Sequence, residues 1–232
     1  MIVLAGTDLG KVYEGGDGRT ITVLDGATLH VSRGEIVAIV GASGAGKSTL
    51  LHLLGALDQP TRGTIQIAGQ ALAGRTDDDL SALRNTSVGF VFQFHHLLRE
   101  FSAVENVMMP LRIAGWDTVR ARRRAEALLL RVGLAGRMEH KPAALSGGEQ
   151  QRTAVARALA IDPAVLLADE PSGNLDHANS ERLHDLFVEL SRDLEIAMVI
   201  ATHNRALAAR ADRTLLLEDG RLTDIGVREA VP

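Results

Sequence analysis

The sequence contains no cysteine, which excludes a disulfide, a thiolate metal site and a cysteine nucleophile, and which suits a reducing compartment. It also has no apolar run near the roughly 18 residues that span a bilayer. Its first residues lack the basic segment that begins a secretory signal. We therefore expect a soluble cytoplasmic chain.

Positive charge is scarce as well. The 232 residues include 25 basic and 29 acidic side chains, for a formal net charge of −4, and only three of the basic residues are lysine. This balance argues against a nucleic-acid-binding surface, so we expect no nucleic-acid partner. With 46% apolar residues the chain can bury a sizeable core, and its length fits one domain that carries an inserted subdomain.

A glycine-rich segment, G-A-S-G-A-G-K-S-T at residues 41–49, follows an apolar run that predicts a buried strand. The spacing G-x-x-x-x-G-K-S is rarely accidental in a chain with three lysines, and it predicts a phosphate-binding loop. Glycines let successive N–H groups point at an anion, the following helix N-terminus adds partial positive charge, and Lys47 adds a full one. Ser48 is placed to hold Mg²⁺. The residues expected to contact the nucleotide here are Gly41, Ser43, Gly44, Ala45, Gly46, Lys47, Ser48 and Thr49.

Two later apolar runs lead to three polar residues suited to catalysis. The run at residues 165–168 leads to Asp169 and Glu170, and the run at 195–202 leads to His203. Continuous apolar strands belong in a parallel sheet, and the carboxyl ends of such strands form its ligand-binding edge. Asp169 is therefore expected to hold the Mg²⁺ hydration shell, and Glu170 to orient or deprotonate an attacking water. The His203 imidazole is expected to donate a hydrogen bond to a γ-phosphate oxygen.

A second glycine-rich segment, L-S-G-G-E-Q-Q-R at residues 145–152, precedes a helix predicted at 153–161. Glycines free the backbone there, and a helix N-terminus with a serine hydroxyl can present itself to an anion. Two further helices are predicted at residues 48–57 and 183–194.

The N-terminal part of the chain predicts a hairpin of two strands, residues 2–13 and 20–31, joined by a glycine-rich turn at 15–18. Tyr13, the only tyrosine, lies near the end of the first strand. Its exposed ring is expected to stack on an adenine. The alternative is a surface aromatic residue that simply favours a strand.

Helical patterns dominate from residue 94, and the next strand is predicted only at residue 165. We therefore expect a single domain over residues 1–232, in which a core of residues 1–93 and 162–232 carries an α-helical subdomain at 94–161. The basic run at 120–124 is interpreted first as a solvated helix face and second as a contact to lipid head groups or a partner.

The order of these motifs resembles that of the nucleotide-binding subunits of ABC transporters, over essentially the whole chain. The resemblance implies an α/β fold, with a P-loop NTPase core built on a mainly parallel sheet, an antiparallel β flank and an inserted α-helical subdomain. It implies ATP hydrolysis with ATP and Mg²⁺. It also implies a role for each motif. Residues 41–49 would be the Walker A loop, residues 145–152 the family signature, and Asp169 and Glu170 the Walker B pair. Tyr13 would stack on the adenine, Gln93 would sense Mg²⁺ and the membrane partner, Asp176 would lie at the dimer interface, and His203 would be the switch histidine.

The same resemblance implies that two copies close head to tail around ATP. Each phosphate loop would then face Ser146 and Gly148 of the other copy, and Ser48, Gln93 and Asp169 would surround the metal. Lys47, Glu170, His203 and Gln93 are the residues expected to act in catalysis.

A finer resemblance concerns the segments F-Q-F-H-H-L-L and S-A-V-E-N-V-M-M-P-L. They are similar to those of the ATPases of lipoprotein-releasing systems, in a wider group with macrolide exporters and the cell-division ATPase. This implies integral membrane permease subunits as partners and a peripheral position on the cytoplasmic face of the inner membrane. The alternatives are an exporter ATPase for macrolides or peptides, and a regulatory ATPase of the cell-division type. Ser172 and Asn204 depart from the Thr and Asp usual in the family, and neither change removes a phosphate contact.

Overall fold

The computed structural model describes residues 1–16 and 18–226, so Asp17 of the predicted turn lies outside the described residues. Strands and helices alternate along most of the chain. The strands are β1 (Ile2–Glu14), β2 (Thr20–Ser32), β3 (Ile36–Val40), β4 (Arg62–Ile67), β5 (Gln70–Ala71), β6 (Val88–Phe92), β7 (Val165–Asp169), β8 (Ala197–Ala201), β9 (Arg213–Glu218) and β10 (Arg221–Asp224). The α-helices are α1 (Lys47–Leu54), α2 (Asp77–Ser87), α3 (Ala103–Ile113), α4 (Thr118–Arg131), α5 (Gly147–Ala158), α6 (His177–Leu194) and α7 (Arg205–Ala208).

The central sheet has six strands in the order β10-β9-β3-β8-β7-β6. All neighbours pair in parallel except β10, which lies antiparallel at the edge. Phe92, Asp169 and Ala201 stand side by side in the register of β6, β7 and β8, so these three strands end at the same level. The residues that follow them therefore meet at one edge.

Both faces of this sheet are covered, which explains its uninterrupted apolar strands. Alternate side chains of β3 serve different cores: Val37 and Ile39 pack with the leucines of α1, and Ala38 packs with residues of α3 to α6. The α1 side continues into the second sheet, which is antiparallel with the order β2-β1-β4-β5. The predicted fold class, including the antiparallel flank, is confirmed.

Three helices differ from their predicted bounds at one or both ends. The signature helix α5 begins at Gly147 instead of residue 153, because Ser146 and Glu149 form a reciprocal capping box, and it ends at Ala158 instead of residue 161. Likewise, α6 begins at His177 instead of residue 183, since the Asp176 carboxylate accepts a hydrogen bond from the Asn179 amide. The first helix ends at Leu54, three residues before its predicted end. Capping side chains, not apolar periodicity, set the two starts.

The stretch between β6 and β7 contains α3, α4 and α5 and two short 3₁₀ turns, Ala135–Arg137 and Pro142–Ala144. Its apolar residues join the core on one face of the central sheet. Within the described residues, no helix has the length and apolar character needed to cross a membrane.

Candidate nucleotide site

The phosphate loop has a backbone that only glycine adopts readily. Gly41, Gly44 and Gly46 have φ values of 155°, 81° and 100°. A Cβ on Gly41 would overlap the carbonyl oxygen of Leu217, and one on Gly46 would lie 2.8 Å from Val23 Cγ1. The loop is therefore held closely between β9 and β2, while around Gly44 the space is open.

The helix behind this loop has a free N-terminus. Among the α-helices of the described residues, α1 alone lacks a side-chain cap; the others are capped by Thr76, Ser102, Asp117, Ser146, Asp176 and Asn204. Its first N–H groups are thus available to an anion. Lys47 Nζ lies against the same loop and donates to the carbonyls of Gly41 (2.9 Å) and Ala42 (3.0 Å).

The three predicted metal-binding residues meet at one cavity of about 210 Å³. Ser48 enters it from α1, Gln93 from the end of β6 and Asp169 from the end of β7, and Glu170 also lines it. A hydroxyl, an amide carbonyl and a carboxylate are hard oxygen donors of the kind that Mg²⁺ prefers, so this set fits the ion.

The two predicted catalytic groups beyond the strands are in contact. Glu170 Oε1 lies 2.8 Å from His203 Nδ1, while Oε2 accepts hydrogen bonds from the Thr202 hydroxyl and the His203 amide, both at 3.3 Å. Glu170 itself has φ 45° and donates its N–H to the Ala201 carbonyl. Its side chain is 17% exposed and that of His203 is 73% exposed. The carboxylate is thus held in place, and the imidazole remains accessible.

Two amide side chains that the sequence reasoning missed organise the rim of this cavity. Gln93 Nε2 donates to Asn174 Oδ1 (3.0 Å), and Asn174 Nδ2 donates to the Gln93 carbonyl (3.2 Å). Gln151 is fully buried in α5 and donates to the Phe92 carbonyl (3.1 Å). The position of Asn174 in the turn that follows β7, next to the expected catalytic edge, could have indicated this residue from the sequence. Gln151 stands inside the glycine-rich signature segment, which offered a signal of its own.

Ser146 and Gly148 stand at the start of α5, and neither lines the cavity that contains Ser48. The Ser146 hydroxyl accepts from the Glu149 amide, and the Ser146 amide donates to the Glu149 carboxylate (2.8 Å). That backbone hydrogen bond lowers the pKa of Glu149 below its usual value. A Cβ on Gly148 would lie 2.6 Å from Asn179 Oδ1, so α5 packs closely on the start of α6.

Strand β2 connects Tyr13 to the phosphate loop. The strand partner of Tyr13 is Ile21, two residues before Val23, whose side chain packs against Gly46. Tyr13 is 40% exposed, and its hydroxyl donates to Asp58 Oδ2 (3.0 Å). The ring is therefore accessible while its hydroxyl is anchored.

An uncapped helix N-terminus behind a glycine loop, next to a cavity lined by oxygen donors, is how P-loop ATPases bind a nucleotide with its metal. The ABC transporter family model matches residues 24–173. The chain belongs to this family and is an ATP-hydrolysing cassette.

Curated relatives and solved structures agree over nearly the whole chain. It is 53% identical over 223 residues to a protein of Xanthomonas campestris pv. campestris (strain 8004) named lipoprotein-releasing system ATP-binding protein LolD, covering 96% of this chain and 93% of the relative. It is 56% identical over 214 residues to the LolD of Bordetella pertussis (strain Tohama I), covering 92% of each. It is also similar to a dimeric ATP-binding cassette solved in a post-hydrolysis state with ADP and phosphate, at 35% identity and a TM-score of 0.87, covering 98% of this chain and 100% of that one.

Proposed function

We propose that this chain is the ATPase subunit of a lipoprotein-releasing ABC system, and that it drives a permease pair from the cytoplasmic face of the inner membrane. The observation that carries the proposal is 53–56% identity, over more than nine tenths of both chains, to proteins named for that system. These names favour lipoprotein release over the exporter and cell-division alternatives.

Two copies share each ATP in this proposal. Ser146 and Gly148 begin a capped helix and do not line their own chain's metal cavity. Ser146 is exposed, so this helix start can cover the phosphate loop of a second copy. The solved cassette at 35% identity is dimeric, which supports the same arrangement. Tyr13 stacks on the adenine, and the helical subdomain, residues 94–161, carries the covering helix toward the core of residues 1–93 and 162–232.

The chemistry is in-line attack by water on the γ-phosphorus of ATP, which breaks the bond to the β–γ bridging oxygen and releases ADP and phosphate. Glu170 orients the water and accepts its proton, since its carboxylate is held by Thr202 and His203 at the sheet edge. Lys47 and the accessible His203 ring stabilise charge on the transferred phosphoryl oxygens. Ser48, Gln93 and Asp169 would hold Mg²⁺, which would supply neutralisation of the phosphate charge.

An apolar groove on the surface supports the proposal that a membrane subunit docks on this chain. A cavity of about 460 Å³ lies between α2, β6 and α3, and Phe90 and Met109 contribute to its lining. Leu57 and Ile113 also line it and are 48% and 68% exposed. Phe94, two residues after the lining residue Phe92, is 66% exposed. Exposed apolar side chains around a groove are typical of a docking surface, and an amphipathic permease segment would fit it.

The test is purification of the chain with its membrane partners and reconstitution of the complex in liposomes. We expect two permease subunits to copurify, and ATP to drive release of a lipoprotein to a soluble acceptor. Ile113→Glu should abolish copurification, while Val119→Glu, at a position 62% exposed on α4, should not. A complex that hydrolyses ATP without releasing lipoprotein would contradict the proposal. The proposal would also be contradicted if the permease subunits copurified with the Ile113→Glu variant as well as with the unchanged protein.

A further inference from the structure

Lys11, one of the three lysines, lies against the ring of Tyr13, the residue expected to stack on the adenine. Lys11 precedes Tyr13 by two residues on β1, which places both side chains on the same face of the strand. Lys11 Nζ lies 4.9 Å from the centroid of the Tyr13 ring, over the ring. Its side chain is only 12% exposed. An ammonium group in this position makes a cation–π contact that is strengthened by partial removal from water.

Asp58, in the turn between α1 and β4, binds both residues. Its Oδ1 accepts from Lys11 Nζ at 2.7 Å, and its Oδ2 accepts from the Tyr13 hydroxyl at 3.0 Å. Lys11 also donates to the Gln59 carbonyl at 2.8 Å. Burial alone would raise the pKa of Asp58, but the hydrogen bonds from Lys11, the Gln59 amide and Tyr13 bring it below its ordinary value. The carboxylate therefore stays ionised at neutral pH and fixes two side chains at once.

The choice of lysine is itself informative. The chain has 22 arginines and three lysines, so an ammonium group is the exception among its cations. A compact ammonium fits between a carboxylate, a carbonyl and a ring face, whereas a planar guanidinium has a different shape and hydrogen-bonding pattern. The ammonium of Lys11 thus contacts the carboxylate, the carbonyl and the ring face at once.

We propose that Lys11 and Asp58 are positioning residues for the adenine base, which hold the Tyr13 ring ready before ATP binds. The inference rests on the proposed function, because it takes Tyr13 as the surface on which the base stacks. With the ammonium over one face of the ring, a base stacks on the opposite face. The ring is held at its hydroxyl by Asp58 and at its face by Lys11, so less side-chain freedom is lost on binding.

The test separates the base from the phosphates by comparing ATP with inorganic tripolyphosphate as ligands of the purified full-length chain. We expect Lys11→Met and Asp58→Ala each to raise the Kd of ATP about five- to tenfold. The Kd of tripolyphosphate and the kcat at saturating ATP should stay unchanged. Asp58→Asn, which keeps an acceptor for the Tyr13 hydroxyl, and Tyr13→Phe, which keeps the ring, are milder changes and should give smaller increases.

A double-mutant cycle checks that the effect passes through the ring. Tyr13→Ala should raise the Kd of ATP, and Asp58→Ala should add nothing in that background. Lys141→Met is the matched control, because the Lys141 side chain is 59% exposed and its ion pair is with an exposed residue, Glu100, at 3.8 Å. It should leave both Kd values as they are.

The outcomes separate the inference from the function on which it rests. If Tyr13→Ala leaves the affinity for ATP unchanged, the base site itself is wrong and the inference falls with it. If Tyr13→Ala weakens ATP but Lys11→Met and Asp58→Ala do not, only the inference is overturned. A weakening of tripolyphosphate equal to that of ATP also overturns it, because the two residues would then act on the phosphate loop.

Discussion

Gln93 and Asn174 exchange two hydrogen bonds across 81 residues of sequence, one at 3.0 Å between their side chains and one at 3.2 Å from Asn174 to the Gln93 backbone. The first uses the NH₂ group of Gln93, which leaves the amide oxygen as the atom available to a cation. Gln93 follows β6 and Asn174 lies in the turn after β7, so the pair joins two turns at the rim of the cavity that Asp169 lines. Asn174 thus selects which end of Gln93 faces that cavity.

Removal of this amide should weaken the response to Mg²⁺. We expect Asn174→Ala to raise the Mg²⁺ concentration for half-maximal ATPase activity about three- to tenfold, the range of one lost hydrogen bond. In a Gln93→Ala background the same change should have no further effect, because the two act as one unit. Mg²⁺ titrations of nucleotide binding and of hydrolysis check this.

Asn85→Ala serves as the control and should leave the Mg²⁺ response unchanged. The Asn85 amide donates to the Pro110 carbonyl of α3, and Asn85 does not line the cavity that Asp169 lines. Additive effects of Asn174→Ala and Gln93→Ala would contradict the positioning role of Asn174.

Glu170→Gln should keep ATP binding but slow hydrolysis about 10²- to 10⁴-fold, because the amide retains the shape of the side chain and cannot accept the proton of the attacking water. With ATP no longer consumed, the variant should accumulate as a dimer, measured by gel filtration with light scattering in Mg²⁺ and ATP. Glu189→Gln, at an exposed position on α6, should behave as the unchanged protein. A Glu170→Gln chain that stays monomeric at saturating ATP is incompatible with a shared site.

Lys47→Ala should weaken nucleotide binding itself. The ammonium already lies among loop carbonyls, 2.9 Å from Gly41 O and 3.0 Å from Ala42 O, in a side chain that is only 9% exposed. Its loss removes the one mobile positive charge of the loop, and charge-assisted hydrogen bonds of this kind contribute about 1.5–3 kcal/mol. The Kd of ATP should rise about ten- to a hundredfold in calorimetry. Unchanged affinity would contradict the assignment of the loop.

Sequence reasoning could propose this candidate site because its signals are local. A phosphate loop is defined by spacing within nine residues, and parallel strands bring their carboxyl ends to one edge whatever their order. Glu170 and His203 were assigned on that ground, and they lie 2.8 Å apart. The order of strands was not needed for this result.

The parts that sequence reasoning missed depend on tertiary register. Asn174 reaches Gln93 only because β6 and β7 pair with Phe92 beside Asp169, and a pattern within either strand does not contain that information. The late start predicted for α5 has another cause: glycines disfavour a helix, but the reciprocal cap of Ser146 and Glu149 outweighs them.

His184 offers a test of stability against pH. It is fully buried in α6, with Nε2 3.1 Å from the Ser172 hydroxyl in the turn after Glu170. Burial lowers its pKa below the ordinary 6.5, and the charge of Arg210 acts in the same direction, while Glu181 and Asp185 oppose both. Below about pH 6.5 the unfolded chain therefore binds a proton that the folded chain does not, so the free energy of unfolding decreases as the pH falls toward the lowered pKa.

His184→Phe fills the site with a side chain that does not titrate, so its free energy of unfolding should decrease less than that of the unchanged protein between about pH 7.5 and about pH 5.5. Urea denaturation at both pH values measures this difference. The variant loses the contact to Ser172 at either pH, which lowers its stability equally at both and leaves the difference intact. His95, whose pKa burial also lowers, contributes to both proteins alike. His177→Phe, at an exposed position, is the control. Equal losses in His184→Phe and the unchanged protein would mean that the buried imidazole does not set the pH dependence.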